Sequence, residues 1–393
     1  MKNKLELFLR GLINLKLLFW IYIVTTAVAS ILLYIHPMSV LDNHLYSSYN
    51  NYTMFKQSFI HLITNDDLYS LDRYKHTDYW YWDYKYSPTF SVYMIFIAYL
   101  PVWLGLLLWN TLNSLVLYYS VRLIPNISDK IKAFILWFVL LENITAVQNC
   151  QSNALIAGLI ILSFAFMEKG NSVIAPLFIA LAVFIKPFAI VAFPLLLFYN
   201  KKIKFCLFAL MWMLILGALP LLFISTQQLE YLYSSWFKLL DADHDISNGL
   251  SVIGILTQWF NLNVWKNMVV FIGAVIFIIP FINYKNYLNF NFRLLMLTSI
   301  LIWVVIFNHR AESPTFIIAA TGVAIWYFMK DRNTMDLILV ISAFVLTVLS
   351  PTDLFPRYLR VNYVIPYVLK AVPCIFIWIK IVVETISFKT AVE

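Results

Sequence analysis

Charge is what this chain lacks most. Only 12% of its 393 residues are Asp, Glu, Lys or Arg, about half of the ~25% carried by a water-soluble globular domain. In their place, 62% of residues are apolar. Such a chain has too little polar surface to face water, which excludes a cytosolic enzyme, a nucleic-acid-binding module and a disordered tail. Glycine is also scarce, with nine in all. No Gly-rich phosphate loop is present, and no HExxH, GxSxG or zinc spacing, which argues against ATP hydrolysis, metalloprotease and serine-hydrolase chemistry. Cys150, Cys206 and Cys374 stand singly in apolar stretches without a CxxC pair, and read as packing residues. No metal and no cofactor is expected.

Long apolar runs fill the space left by charge, and they indicate an all-α, polytopic membrane bundle. A bilayer core takes ~20 apolar residues per helix. The first run, 17–35, follows Lys2, Lys4, Arg10 and Lys16, and no small-residue cleavage site comes after it. It is too long for a signal-peptide core and is expected to be a retained span with its basic end inside. Further candidates are 87–100, 103–123, 133–146, 154–166, 173–185, 188–198, 205–225, 268–281, 294–307, 316–328, 337–349 and 367–383. Several have only about 13 residues, as expected of half-helices, re-entrant segments or helices buried inside the bundle. The expectation is about 10–13 transmembrane or re-entrant helices in one membrane-embedded domain, 1–393. A long first outer loop would span 36–86 and a second 226–264.

The net charge, 28 − 20 = +8, fits basic residues flanking cytoplasmic span ends rather than a nucleic-acid surface. Placing Lys201, Lys202 and Lys204, then Lys285 and Arg293, then Lys330 and Arg332 inside makes the second half alternate cleanly. Arg122, Lys130 and Lys132 also prefer the inside, which conflicts with a simple up-down count from the first span. Twelve of the 20 acids fall on loops assigned to the opposite side, so a wet functional surface is expected there.

Several clusters are candidates for chemistry, and each has a plainer alternative. The first loop is dense in Tyr and Trp, from Tyr46 to Tyr86, as in an interfacial aromatic belt or a platform on which sugar faces stack. Lys186 stands between two short apolar pieces with Pro187 after it, so it caps a half-helix. It is either a snorkelling lysine or a cation facing a phosphate in an internal cavity. Asn149-Cys150-Gln151-Ser152-Asn153 is either polar glue between helices or the lining of a substrate cavity, with Glu142 a little upstream. Asn308-His309-Arg310-Ala311-Glu312 gathers a base, a cation and an acid at one face, and Arg357 and Arg360 add cations on that side. Arginine forks suit phosphate oxygens, and the bland reading is a rim salt bridge.

Taken in order, these segments resemble a known pattern. Asn51-Tyr52-Thr53-Met54-Phe55, Asp67-Leu68-Tyr69 and Tyr84-Lys85-Tyr86-Ser87-Pro88-Thr89-Phe90 resemble the first-loop signature of glycosyltransferase family 87. Cys150-Gln151-Ser152-Asn153 is similar to that family's Gly-Gln-x-Asn, Lys186-Pro187 to its Lys-Pro, and Ser313-Pro314 to its late Ser-Pro. There are departures. Asn51 stands where the family has an Asp, the expected base, and Cys150 where it has Gly. The Trp and His that usually follow the late Ser-Pro are missing, although His309 precedes it.

The resemblance implies a GT-C type bundle in the cell (inner) membrane, with its site at the outer face between the first long loop and the span ends. Its partners would be a polyprenyl-phosphate sugar donor, a lipid-linked or envelope-glycan acceptor and membrane lipids. It would transfer a mannose-like hexose with inversion. Inversion needs a base for the acceptor hydroxyl, and an amide such as Asn51 cannot take a proton. Asp83, beside Lys85 and just before the next apolar run, is favoured, followed by Asp67 and Asp42, with Glu312 or Glu142 next. Lys186, Arg310, Arg357 and Arg360 would meet the departing phosphate. Lys85, Gln151, Asn153, His309 and Glu312 complete the substrate-binding set. The rivals are a non-catalytic transporter or flippase of a lipid-linked saccharide, and an O-antigen-type polymerase or ligase. The long loop so early in the chain favours the transferase over the polymerase.

Overall fold

The computed structural model describes residues 13–36, 38–41, 44–69, 84–243, 247–329 and 332–389. The first apolar run forms α1 (Leu15–Ile35), whose 21 residues rise ~31 Å and so match the ~30 Å hydrocarbon core. Asn14 starts it by accepting the Lys16 and Leu17 amides at 2.9 and 3.3 Å, two of the donors that a first turn leaves open. Leu18, Tyr22, Thr26 and Ser30 are buried on one face, while Trp20, Val24, Val28 and Ile31 stay exposed on the other. The buried face meets α5 (Val102–Leu123) and α6 (Asp129–Gln148) along a polar seam. Thr26 donates to Ser114 at 2.8 Å, and Asn110 and Asn143 donate to Ser30 and Ser114 at 3.0 Å. Such bonds join helices where lipid supplies no hydrophobic drive.

Between α1 and α5, the first long connecting segment opens with a strand pair, β1 (Ser39–Leu41) and β2 (His44–Tyr46), with Ser39 opposite Tyr46. The helix α2 (Asn50–Ile63) follows. Two short helices, α3 (Pro88–Tyr93) and α4 (Ile95–Ala98), then occupy the stretch expected to span at 87–100. Pro88 starts one helix, Pro101 precedes the next, and neither piece is long enough to cross. Residues 87–100 therefore add no crossing, which removes the conflict over Arg122. Tyr118 donates to Leu15 O at 2.6 Å, so α5 runs antiparallel to α1 and delivers Arg122 to the end where Lys16 lies.

The rest of the bundle is α7 (Asn153–Glu168), α8 (Ile174–Ile185), a 3-10 segment (Pro187–Phe198), α9 (Lys202–Ala218), α10 (Thr226–Asp243), α11 (Val252–Phe260) and α12 (Lys266–Ile278). After them come α13 (Phe290–Ile306), α14 (Phe316–Phe328), α15 (Thr334–Ala343) with a π-helical continuation (Phe344–Leu349), the single turn α16 (Arg357–Leu359) and α17 (Val372–Ile386). Among the described residues, Leu15–Ile35, Val102–Leu123, Asp129–Gln148 and Lys202–Leu222 are long and apolar enough to cross a membrane unaided. The helix α13 is buried on every side from Phe292 to Ile306, as a helix apolar all round must be. It forms the axis of the bundle, while α9 and α12 turn Leu207, Leu214, Phe271 and Val275 outward.

The basic clusters converge at one end. Arg293 forks onto Glu168 at 2.6 and 2.7 Å, and Tyr199, two residues before Lys201, donates to the same carboxylate at 2.5 Å. Arg332 pairs with Glu384 at 3.1 Å, and Lys380 with Asp336 at 2.6 Å. This is the basic end, and the opposite one is the loop end. The segment α8 rises from the basic end, breaks at Lys186, and the 3-10 segment returns the chain to Tyr199 at that same end. It is a re-entrant hairpin, as the short apolar runs led one to expect. Of the cysteines, Cys150 and Cys374 are buried and Cys206 is exposed on α9.

Candidate functional site

The first connecting segment docks through its aromatic residues. Tyr52, Phe55, Phe59 and Leu62 form one buried stripe of α2, with the spacing of a single helical face. The Tyr52 hydroxyl lies over Gly105 of α5, where even an added Cβ would come within 2.0 Å of it. Phe55, Tyr86 and Phe90 pack at centroid distances of 4.8–5.3 Å, and Trp109 joins Phe55 at 5.4 Å. Tyr69 and Tyr84 are buried as well. These rings form a packed nucleus joining loop to bundle, which is neither a headgroup belt nor an open sugar platform, because their apolar faces find protein partners. The remaining Tyr and Trp of this loop between residues 70 and 83 lie outside the described residues.

The helix ends beneath this nucleus carry the polar groups. Helix α6 closes in a Schellman turn, with Cys150 N donating to Val147 O at 2.9 Å and Gln151 N to Ala146 O at 3.1 Å. Cys150 takes φ +51° there, the left-handed position where glycine is the usual residue. Trp109 donates to Cys150 O and Asn51 to Asn149 O, both at 2.9 Å. The turn holds Gln151 and Asn153 toward the tip of the re-entrant hairpin. Lys186 Nζ donates to Asn153 Oδ1 at 2.9 Å and reaches Gln151 Oε1 at 3.5 Å. The Tyr86 hydroxyl is also 3.5 Å from Gln151 Oε1, and Lys186 stands 5.7 Å from the Tyr86 ring centroid. Among the described residues no carboxylate lies within ion-pair distance of Lys186.

Sequence reasoning did not single out the hydroxyls that hold the hairpin. Ser87 caps α3 through the Phe90 amide at 3.2 Å and also donates to Phe184 O, one of the carbonyls left open where α8 stops. Thr89 donates to Leu216 O of α9 at 2.8 Å. The only signal was their adjacency to Pro88 in the first-loop pattern.

A second turn, 308–312, leads into the Ser313–Thr315 segment that packs against α6. Asn308 accepts the Arg310 amide at 2.9 Å, and Glu312 shares a capping box with Thr315. The segment before α11 covers this turn, with Leu250 N donating to Ala311 O at 2.8 Å. Gly249 sits at φ +59°, and any Cβ there would meet His309 O at 2.6 Å. Behind the turn, Lys370 donates to Ser313 at 2.9 Å and to Glu142 at 2.6 Å, with side chains 4% and 0% exposed. Lys370 was not anticipated, although a lysine within an apolar run was a visible sign. Glu142 therefore belongs to this buried pair.

Other anticipated residues lie apart. Asp67 accepts the Tyr69 amide at 3.0 Å and the Tyr231 hydroxyl of α10 at 3.2 Å. Beside it is an open cleft of about 520 Å³ lined by Asn65, Phe223, Gln227 and Gln228, which contains none of the groups around Lys186. Lys85 is half-buried and its carbonyl receives Trp236 Nε1 at 3.0 Å. Arg360 is occupied by the Pro351 and Thr352 carbonyls and by Asp353 at 3.7 Å, and Arg357 is exposed on α16. Asp83 and Asp42 lie outside the described residues. Burial lowers the pKa of Lys56, on the loop helix α2, whose ammonium donates to Leu100 O at 2.6 Å.

A search of curated proteins finds no match. The family described as glycosyltransferase family 87 matches residues 84–351, well over half of the 393-residue chain. That stretch takes in Tyr86, Gln151, Asn153, Lys186 and Glu312, while α2 and Lys370, which also support them, lie outside it. The chain belongs to glycosyltransferase family 87 and is a membrane glycosyltransferase.

Proposed function

We propose that the protein moves a mannose-like hexose, with inversion, from a polyprenyl-phosphate sugar to a lipid-linked or glycan acceptor, and that the loop end faces outward from the cell (inner) membrane. The observation that carries this reading is Lys186. A cation at the tip of a broken helix inside an apolar bundle costs at least ~2.5–3.5 kcal/mol even on insertion scales. Here it is held by two neutral amides and an aromatic face rather than by a carboxylate. That environment leaves it a countercharge short, and a lipid phosphate supplies one. As the bond from the sugar to phosphate breaks, negative charge grows on the phosphate oxygens. A fixed ammonium stabilises that charge more than the ground state, which is where rate enhancement comes from. Gln151 and Asn153 keep the ammonium aimed, so little reorganisation is needed at the moment of reaction.

Purified protein in liposomes, given radiolabelled polyprenyl-phosphate mannose and octyl mannoside, tests the reading. Transfer is expected, and Lys186→Met should lower it by ~10²–10³-fold, the usual cost of removing a charge-stabilising donor, with the melting temperature retained. Label carried across the bilayer with none joined to the acceptor would point to a transporter. A well-folded Lys186→Met variant within twofold of the unaltered protein would remove the phosphate role.

A further inference from the structure

We propose that the cleft between the end of α2 and the start of α10 holds a lipid-proximal sugar of the acceptor glycan, an assignment that rests on the transfer reaction above. Its volume, about 520 Å³, lies within the range of small-ligand sites. The apolar stretch Lys202–Leu222 ends there, and Leu221 lines the cleft together with Phe223.

The lining indicates what the cleft would hold. Asn65, Ser225, Gln227 and Gln228 supply amides and a hydroxyl, and among the described residues no charged side chain lines it. A phosphate calls for Arg or Lys. Side-chain amides donate and accept at once, which matches sugar hydroxyls that do the same. Phe223, held edge to face on Phe59 at 5.2 Å, offers an apolar ring to the C–H face of a sugar.

These polar groups are fixed yet remain free for a ligand. Asn65 closes α2 at φ +60°, with Asp66 N donating to His61 O at 3.0 Å. The Asn65 carbonyl receives Gln228 Nε2 at 3.2 Å, which ties α10 to the end of α2. Ser225 accepts the Gln228 amide at 3.2 Å and keeps its own proton to give. Among the described residues the side-chain amides of Asn65 and Gln227 make no hydrogen bond.

Two features put the cleft on the path of a lipid-linked acceptor. Leu210 and Leu214 are exposed along α9, and Leu221 and Leu222 are exposed on the turn after it. A hydrocarbon anchor lying on those side chains leaves its first sugar at the amides. The walls of the cleft also run on toward Lys186. Asp67 receives the Tyr69 amide at 3.0 Å, and the Tyr69 hydroxyl donates to Tyr86 O at 2.9 Å. Helix α10 runs ~12 Å along its axis from Gln228 to Trp236, and Trp236 donates to Lys85 O at 3.0 Å, one residue from Tyr86. That distance is broader than one sugar ring, so the sugar held in the cleft is not the one that reacts.

The test compares octyl mannoside with octyl mannotrioside as acceptors in the liposome assay. The unaltered protein should show a KM for the trioside about tenfold lower, the worth of one or two hydrogen bonds. The double change Asn65→Gly with Gln227→Ala, at two exposed positions, should raise the trioside KM to that of the monoside and should not move the donor KM. Equal KM values for the two acceptors in the unaltered protein, or a preference that survives the double change, overturn the assignment while transfer stands. A raised donor KM overturns it in favour of the donor's sugar. Saturation-transfer NMR with mannotriose reads the cleft without catalysis, and contact seen with the unaltered protein should vanish in the double variant. That contact without any transfer would sink the reaction and leave a sugar site, whereas neither contact nor transfer would sink both.

Discussion

At the scale of single residues, Asn51 and Cys150 explain one another. A left-handed C′ residue closes α6, and the carbonyl of the preceding Asn149 points at Asn51, 98 positions earlier. That carbonyl belongs to the negative end of the α6 dipole, where a donor is favourable and an anion is not. An acid at position 51 would face it with a second negative charge. Asn51→Asp should therefore cost about 1–2 kcal/mol from the lost bond and the unfavourable dipole, read as a lower melting temperature in detergent, and should not raise transfer. An increase in turnover would show that the site accepts a base at 51 after all. The sequence made both departures visible as departures. It could not show that the amide serves as a helix cap, because the partner carbonyl lies on an element far away in the chain.

At the scale of elements, some breaks were legible and others were not. Proline after Lys186 removes an amide and clashes with the preceding turn, so the hairpin tip could be read from two adjacent residues. Residues 87–100 are as apolar as a true span, and only their packing between α2, α5 and α9 shows that they stay at the loop end. Pairings across the bundle were hidden in the same way: Glu142 and Lys370 are 228 positions apart. Removing one partner of such a pair strands a charge in the core and typically costs about 3–5 kcal/mol. Lys370→Met should lower the detergent melting temperature sharply, and the double change Lys370→Met with Glu142→Gln should recover most of the loss. Equal stability of the single and double variants would show that a stranded Glu142 charge is not the source of the loss. The second outer segment was expected only as a loop. In fact it carries α10 and α11, with α10 resting on the first segment and Gly249 on the 308–312 turn.

For the molecule as a whole, composition alone established a membrane bundle, and the convergence of basic clusters at one end was legible from their order along the chain. Sidedness remains a prediction of charge asymmetry. In a background with Cys206→Ser, an impermeant thiol reagent added to intact cells should label Glu230→Cys on α10 and leave Lys202→Cys untouched. The reverse pattern would place the reaction on the other face. The re-entrant hairpin also has a mechanical consequence. The rising limb, α8, has 12 residues and rises ~18 Å, short of the ~30 Å of a full crossing. It works as a fixed bracket that brings the Lys186 ammonium to the polar turn at 149–153 without carrying the chain across.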